Sequence, residues 1–129
     1  MPISFHVDIR QRCIFIRLWG VLTEWDTGVA VQHMWHDPNF DPSFDRLPDA
    51  SAVEDTATRR QFVYALASDE KAHHACGRIA LIARGRVLEG FEQFFAPNAG
   101  GVECRGFLDQ QDALEWLGVQ APIVAGAAD

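Results

Sequence analysis

Ile79-Ala80-Leu81-Ile82-Ala83 is an unbroken run of five apolar residues. A strand buried on one face alternates apolar with polar residues. An unbroken run suits a central strand covered on both faces, the pattern of a sheet packed between helices. Arg84-Gly85-Arg86 turns the chain after it. Val87, Leu88, Phe91, Phe94 and Phe95 then follow at helical spacing, and Pro97-Asn98-Ala99-Gly100-Gly101 breaks that helix.

Downstream, Val102–Phe107 reads as a further strand. Asp109 is placed to cap a last helix with Ala113, Leu114, Trp116 and Leu117 apolar and Gly118 at its end. Residues 119–129 have no periodicity and are rich in Ala and Gly, so a frayed, flexible tail is expected there. Upstream, the chain opens with period-two alternation: Ile3, Phe5, Val7 and Ile9 against Ser4, His6 and Asp8. Cys13–Trp19 is apolar on nearly both faces, and Gly20 ends it. These two strands predict an antiparallel hairpin with the first at or near an edge.

Thr23 is placed to cap a helix running to about Asp37, where Pro38 stops it. A loop with two prolines, Pro38 and Pro42, follows. A third strand is expected at about Phe44–Pro48, ended by the proline. Asp49–Glu54 reads as a turn in which Ser51 and Glu54 have capping-box spacing, with Thr56 or Asp55 as a rival cap. The helix after it should run to about Ala72 with Phe62, Val63, Leu66 and Ala67 inward, and His73–Gly77 connects to the central run. The order β-β-α-β-α-β-α-β-α predicts an α/β fold, a mixed five-stranded sheet with about four helices, as one domain over residues 1–118.

Composition narrows the function classes. The chain has 129 residues, 48% hydrophobic and 22% charged, which is ordinary for one globular domain. Its formal charge of −7 argues against nucleic-acid binding and against attachment to an anionic membrane. No apolar run approaches the ~20 residues of a spanning helix. The N-terminal Met1-Pro2-Ile3-Ser4-Phe5-His6 lacks the basic and apolar regions of a signal peptide, so a cytoplasmic location is expected. Cys13, Cys76 and Cys104 are an odd number in apolar surroundings and read as buried thiols.

The order and spacing of several short stretches resemble those of the STAS domain, the fold of bacterial anti-sigma-factor antagonists, and especially a branch of uncharacterised bacterial STAS-like proteins. The stretches are Gly20 with Leu22-Thr23, Asp37-Pro38…Phe40…Pro42…Leu47–Ser51, Arg78–Ala83, and Phe107-Leu108-Asp109…Asp112–Gly118. Together they span residues 3–118. The resemblance implies a docking module rather than an enzyme, in some members switched by phosphorylation near the start of the second helix. The family pattern there is Asp-x-Ser-x-Val, four residues, then Ser or Thr. Asp49-Ala50-Ser51-Ala52-Val53 carries it to Thr58. Ala57 stands where the family often has an acidic residue, and Arg59-Arg60-Gln61 where it has Ser-Gly-Leu.

Phosphate on Thr58 would add about −1.5 to −2 charges near a helix N-terminus. The plainer role of Thr56 and Thr58 is to start that helix. His33 and His36 stand three apart on the first helix, but a metal needs further ligands and a supporting shell, so exposed helix histidines are expected and no metal. His73 and His74 are adjacent and rarely share one ion. There is no GxSxG elbow, no Cys beside an evident His, and neither the lysine of a P-loop nor dinucleotide spacing near Gly100-Gly101. Asp49 at a strand end is where α/β proteins place functional groups, and equally where a carboxylate caps a turn.

The aromatics are more informative. Trp19, Trp25, Trp35, Phe40 and Phe44 concentrate in one stretch, and Phe91, Phe94 and Phe95 in another. Core packing explains most of them. One helix, however, cannot aim Trp25, Val31, Met34 and Trp35 at a single sheet, so apolar surface should remain outside. The expected function is a non-enzymatic cytoplasmic regulatory module acting through protein contacts, with a homodimer the simplest cover for that surface. The alternative is a carrier or sensor of a small apolar or amphiphilic ligand between sheet and helices. Candidate surface residues are Asp49, Ser51, Trp25, Trp35, Phe91 and Phe95, with Thr58 the phosphorylation candidate. No cofactor is implied.

Overall fold

The computed structural model describes residues 3–21, 24–54, 77–90, 92 and 103–121. Its elements are β1 (Ile3–Asp8), β2 (Cys13–Gly20), α1 (Glu24–Trp35), β3 (Asp45–Val53), β4 (Ile79–Ile82), α2 (Gly85–Gly90), β5 (Cys104–Phe107) and α3 (Gln110–Leu117). The five strands form one sheet in the order β1-β2-β3-β4-β5. β1 and β2 are the expected antiparallel hairpin, and the other three pairings are parallel. β1 is an edge strand, as its alternation requires. All four residues of β4 are buried, as an unbroken apolar run requires.

Each face of the sheet has its own core. Cys13, Phe15, Leu47, Ala80, Ile82 and Phe107 face α3 and pack with its Ala113, Leu114 and Leu117. Val7, Ile14, Met34 and Phe44 form the core on the α1 side, with Phe5, Ile16, Trp35 and Phe40 half-buried against it. Arg46 is buried on this second side, its guanidinium 5.6 Å from the Phe40 ring centre.

α3 is closed at both ends as its sequence predicts. Asp109 accepts the N–H of Asp112 at 2.9 Å. Gly118 takes the left-handed conformation (φ 71°), from which its N–H reaches the carbonyl of Leu114 at 2.8 Å. Beyond it, Val119 packs on the core, while Gln120 N–H donates to Gln11 Oε1 at 2.6 Å and its carbonyl accepts Gln11 Nε2 at 2.9 Å.

Arg78 ties the C-terminus of α3 to the sheet. Its guanidinium donates to the carbonyls of Trp116 and Leu117 and to Asp45 Oδ2, each at 3.0 Å, and lies over the Trp116 ring. Beside it the backbone of Gly77 runs against β3. A Cβ there would stand 2.6 Å from the Phe44 carbonyl oxygen, so only glycine fits.

The third strand departs from expectation. It is Asp45–Val53, not Phe44–Pro48, and Pro48 lies inside it, paired with Ile16 of β2. Arg46 N–H donates across to the Arg78 carbonyl of the β4 side at 2.8 Å. Two residues on, the Pro48 nitrogen faces the same side, so the ring removes one position of a single ladder and leaves the β2 pairing whole. Asp49–Ser51 is therefore strand rather than turn, and Ser51 does not start a helix. The expected helix to Ala72, and with it Thr58, lies outside the described residues. So do Phe91, Phe94 and Phe95; of the third expected helix the structure describes α2. The described helices are thus α1, α2 and α3, of which α2 has six residues. Residues 122–129 of the expected tail also lie outside.

Candidate functional site

The parallel strands finish at one end of the sheet, and of the five exposed large apolar side chains among the described residues four lie toward that end. Gly20 turns the chain out of β2 in a left-handed conformation (φ 67°), and its carbonyl accepts Glu54 N–H at 2.9 Å, closing β2 against the end of β3. Trp19 and Val21 flank Gly20 and are exposed. Trp25, in the first turns of α1, is 78% exposed, and Leu108, directly after β5, is 63% exposed. Among the described residues, only Ile9 in the β1–β2 turn exposes a large apolar side chain at the other end.

Helix geometry explains Trp25. At about 100° per residue, the nine positions from Trp25 to Met34 amount to half a turn beyond two full turns. Met34 is buried in the α1-side core, so Trp25 points away from it. Trp35 is half-buried against that core, which separates it from Trp25.

Asp49 and Ser51 come together, in a way the sequence does not announce. Arg17 pairs with Asp49 but Trp19 pairs with Ala52, so β3 carries one extra residue there. Such a bulge takes an N–H out of the ladder. Asp49 Oδ1 accepts Ser51 N–H at 3.0 Å and the Ser51 hydroxyl at 2.6 Å. The carboxylate thus holds the bulge, and the Asp49–Ser51 segment sits near the exposed end of β2.

The titratable groups elsewhere are structural in their surroundings. Burial first, then the charges of Asp45 and Asp8, pushes the Cys13 thiol up to about 12, so it stays protonated at neutral pH. The side chain of Gln11 holds the Asp8 carboxyl below its ordinary range. Hydrogen bonds from Ser43 do the same for Asp41. Asp109 raises Asp112 by like charge. His33 and His36 are exposed on α1, and His36 Nδ1 lies 2.7 Å from the Gln32 carbonyl oxygen. Cys104 is half-buried; Cys76, His73 and His74 lie outside the described residues. Among the described residues no three His, Cys, Asp or Glu side chains are grouped to hold a metal ion. No described helix is long and apolar enough to cross a membrane.

Of the expected surface residues, Trp25, Asp49 and Ser51 lie toward the carboxyl end of the sheet, Trp35 does not, and Phe91, Phe95 and Thr58 are outside the described residues. Trp19, Val21 and Leu108 were not anticipated. The signal available was position: each directly adjoins the residue that ends a parallel strand.

No protein-family model matches the chain, and no curated protein matches it. Among solved structures it is similar to an uncharacterized protein of the DUF3478 family from Shewanella loihica PV-4, described as having a SpoIIAA-like fold. The two share 19% identity over 89% of this chain and 93% of the other, with a TM-score of 0.58. At that identity the likeness concerns the fold: this chain has a SpoIIAA-like, that is STAS-like, architecture.

Proposed function

We propose that the chain is a non-enzymatic regulatory module of the bacterial cytoplasm, working by protein contact at the carboxyl end of its parallel strands. The observation that carries the reading is Trp25, 78% exposed on the side of α1 turned away from the core. Tryptophan is the residue type most enriched among those that dominate binding energy at protein interfaces. The partner is a second copy of this chain, because a homodimer covers the surface with the fewest components. Thr58, four residues beyond Glu54 in sequence, is the position through which phosphorylation would regulate the contact.

Sedimentation velocity over a concentration series tests this. The unaltered chain is expected to associate, and Trp25→Glu to weaken association at least ~30-fold, the size of a dominant interface residue, with no change in melting temperature. Equal sedimentation of the two proteins would overturn the reading. Thr58→Glu is expected to change association and leave the melting temperature in place. Severe unfolding would make Thr58 structural.

A further inference from the structure

A single side chain joins the end of α3 to the far side of the sheet. α3 packs against β3, β4 and β5, yet Gln120, just past its cap, meets Gln11 in the β1–β2 turn, 109 residues away in sequence. Both polar atoms of the Gln11 amide are used there. Oε1 accepts Gln120 N–H at 2.6 Å, and Nε2 donates to the Gln120 carbonyl at 2.9 Å. The other hydrogen of Nε2 goes to Asp8 Oδ2 at 2.9 Å, while Asp8 Oδ1 accepts the Gln11 N–H at 3.2 Å. With its NH2 committed to a carboxylate and a carbonyl, the amide has one orientation only. It pairs with the backbone of Gln120 as a peptide group of a neighbouring strand would.

The helix is anchored separately. Gly118 and Val119 donate their N–H groups to the Leu114 carbonyl at 2.8 and 3.1 Å, and Arg78 holds the carbonyls of Trp116 and Leu117. α3 therefore keeps its end closed whether or not Gln120 is held. Between the two anchors, the Val119 side chain packs on the core cluster that contains Cys13, two residues beyond Gln11. Cys13 is wholly buried.

We infer that Val119–Ala121 is a strap, which lifts from the β1–β2 turn when the Gln11 clasp opens, leaves α3 and the sheet folded, and uncovers the Cys13 thiol. The clasp consists of two hydrogen bonds exposed to water, so opening costs a small fraction of global unfolding. Closed, the thiol is protonated and inert, its pKa pushed up to about 12 chiefly by burial. Open, it meets water and reacts as an ordinary thiol. The strap lies at the amino end of the parallel strands and is independent of the Trp25 surface.

Hydrogen exchange followed by NMR, with iodoacetamide labelling mapped to individual cysteines, tests this on the full chain. The Gln120 amide is expected to exchange faster than those of Gly118 and Ala83, which are bonded to the carbonyls of Leu114 and Phe107. Gln11→Met keeps the side chain's length and removes both bonds to the strap. It should speed Gln120 exchange and Cys13 alkylation at least ~fivefold, the worth of one or two hydrogen bonds, and leave Gly118 and Ala83 unchanged. Val119→Ala should also speed Cys13 alkylation. The inference is overturned if Gln120 exchange ignores Gln11→Met, or if Gly118 and Ala83 accelerate with it. It is equally overturned if Cys13 is alkylated no faster than Ala83 exchanges in every variant, since the thiol would then be reached only by global unfolding.

Discussion

α3 and α1 lie on opposite faces of the same sheet and are built to different ends. α3 has eight residues, caps at both termini, three fully buried side chains, and a guanidinium bonded to its last carbonyls. α1 is half as long again, yet buries only Ala30 and Met34 fully and carries an exposed tryptophan on its far side. In α3 nearly every apolar residue stabilises the fold. In α1 part of the apolar surface faces away from the core. The contrast locates stability and binding in different helices.

Substitutions can break or sharpen that contrast. Leu114→Ala removes a buried side chain from α3 and is expected to cost about 3 kcal/mol in urea unfolding. Arg78→Ala leaves two helix carbonyls and Asp45 without their donor, and about 2 kcal/mol should be lost, reduced by the partial exposure of the pair. Asp109→Ala uncaps α3 for about 1 kcal/mol. A smaller effect concerns pH. The Asp8 carboxyl is held below its ordinary 3.8, mainly by Gln11, so the stability it supplies is present above that value and fades as pH falls through the lowered one. Gln11→Ala should flatten that acid limb of the unfolding curve. Smallest of all, Trp25→Ala should change stability by less than about 0.5 kcal/mol. A loss comparable to that of Leu114→Ala would erase the distinction between the helices.

Much of the architecture was legible because it depends on local chemistry. The unbroken run Ile79–Ile82 suits an inner strand, and the alternation of Ile3–Asp8 a half-covered one. Asp109 and Gly118 bracket α3 by rules that involve a few neighbouring residues. What was not legible depends on partners far along the chain. Whether Pro48 ends a strand turns on which neighbour its missing N–H would have faced. Asp49 and Ser51 read as a turn because the bulge that joins them exists only against β2. Arg78 reaches carbonyls 38 and 39 residues away, and Gly77 is needed because β3 passes beside it. Of the candidate site, helical periodicity gave Trp25, since one face cannot hold both it and Met34. It gave no sign that Trp19, Val21 and Leu108 would share the same end of the sheet.

Native mass spectrometry of freshly purified protein probes the whole account in one spectrum, because it weighs the assembly and anything it retains. A dimer with the mass of two polypeptides and nothing more is the predicted result. A lone chain, or a chain carrying one small apolar molecule, would contradict the account.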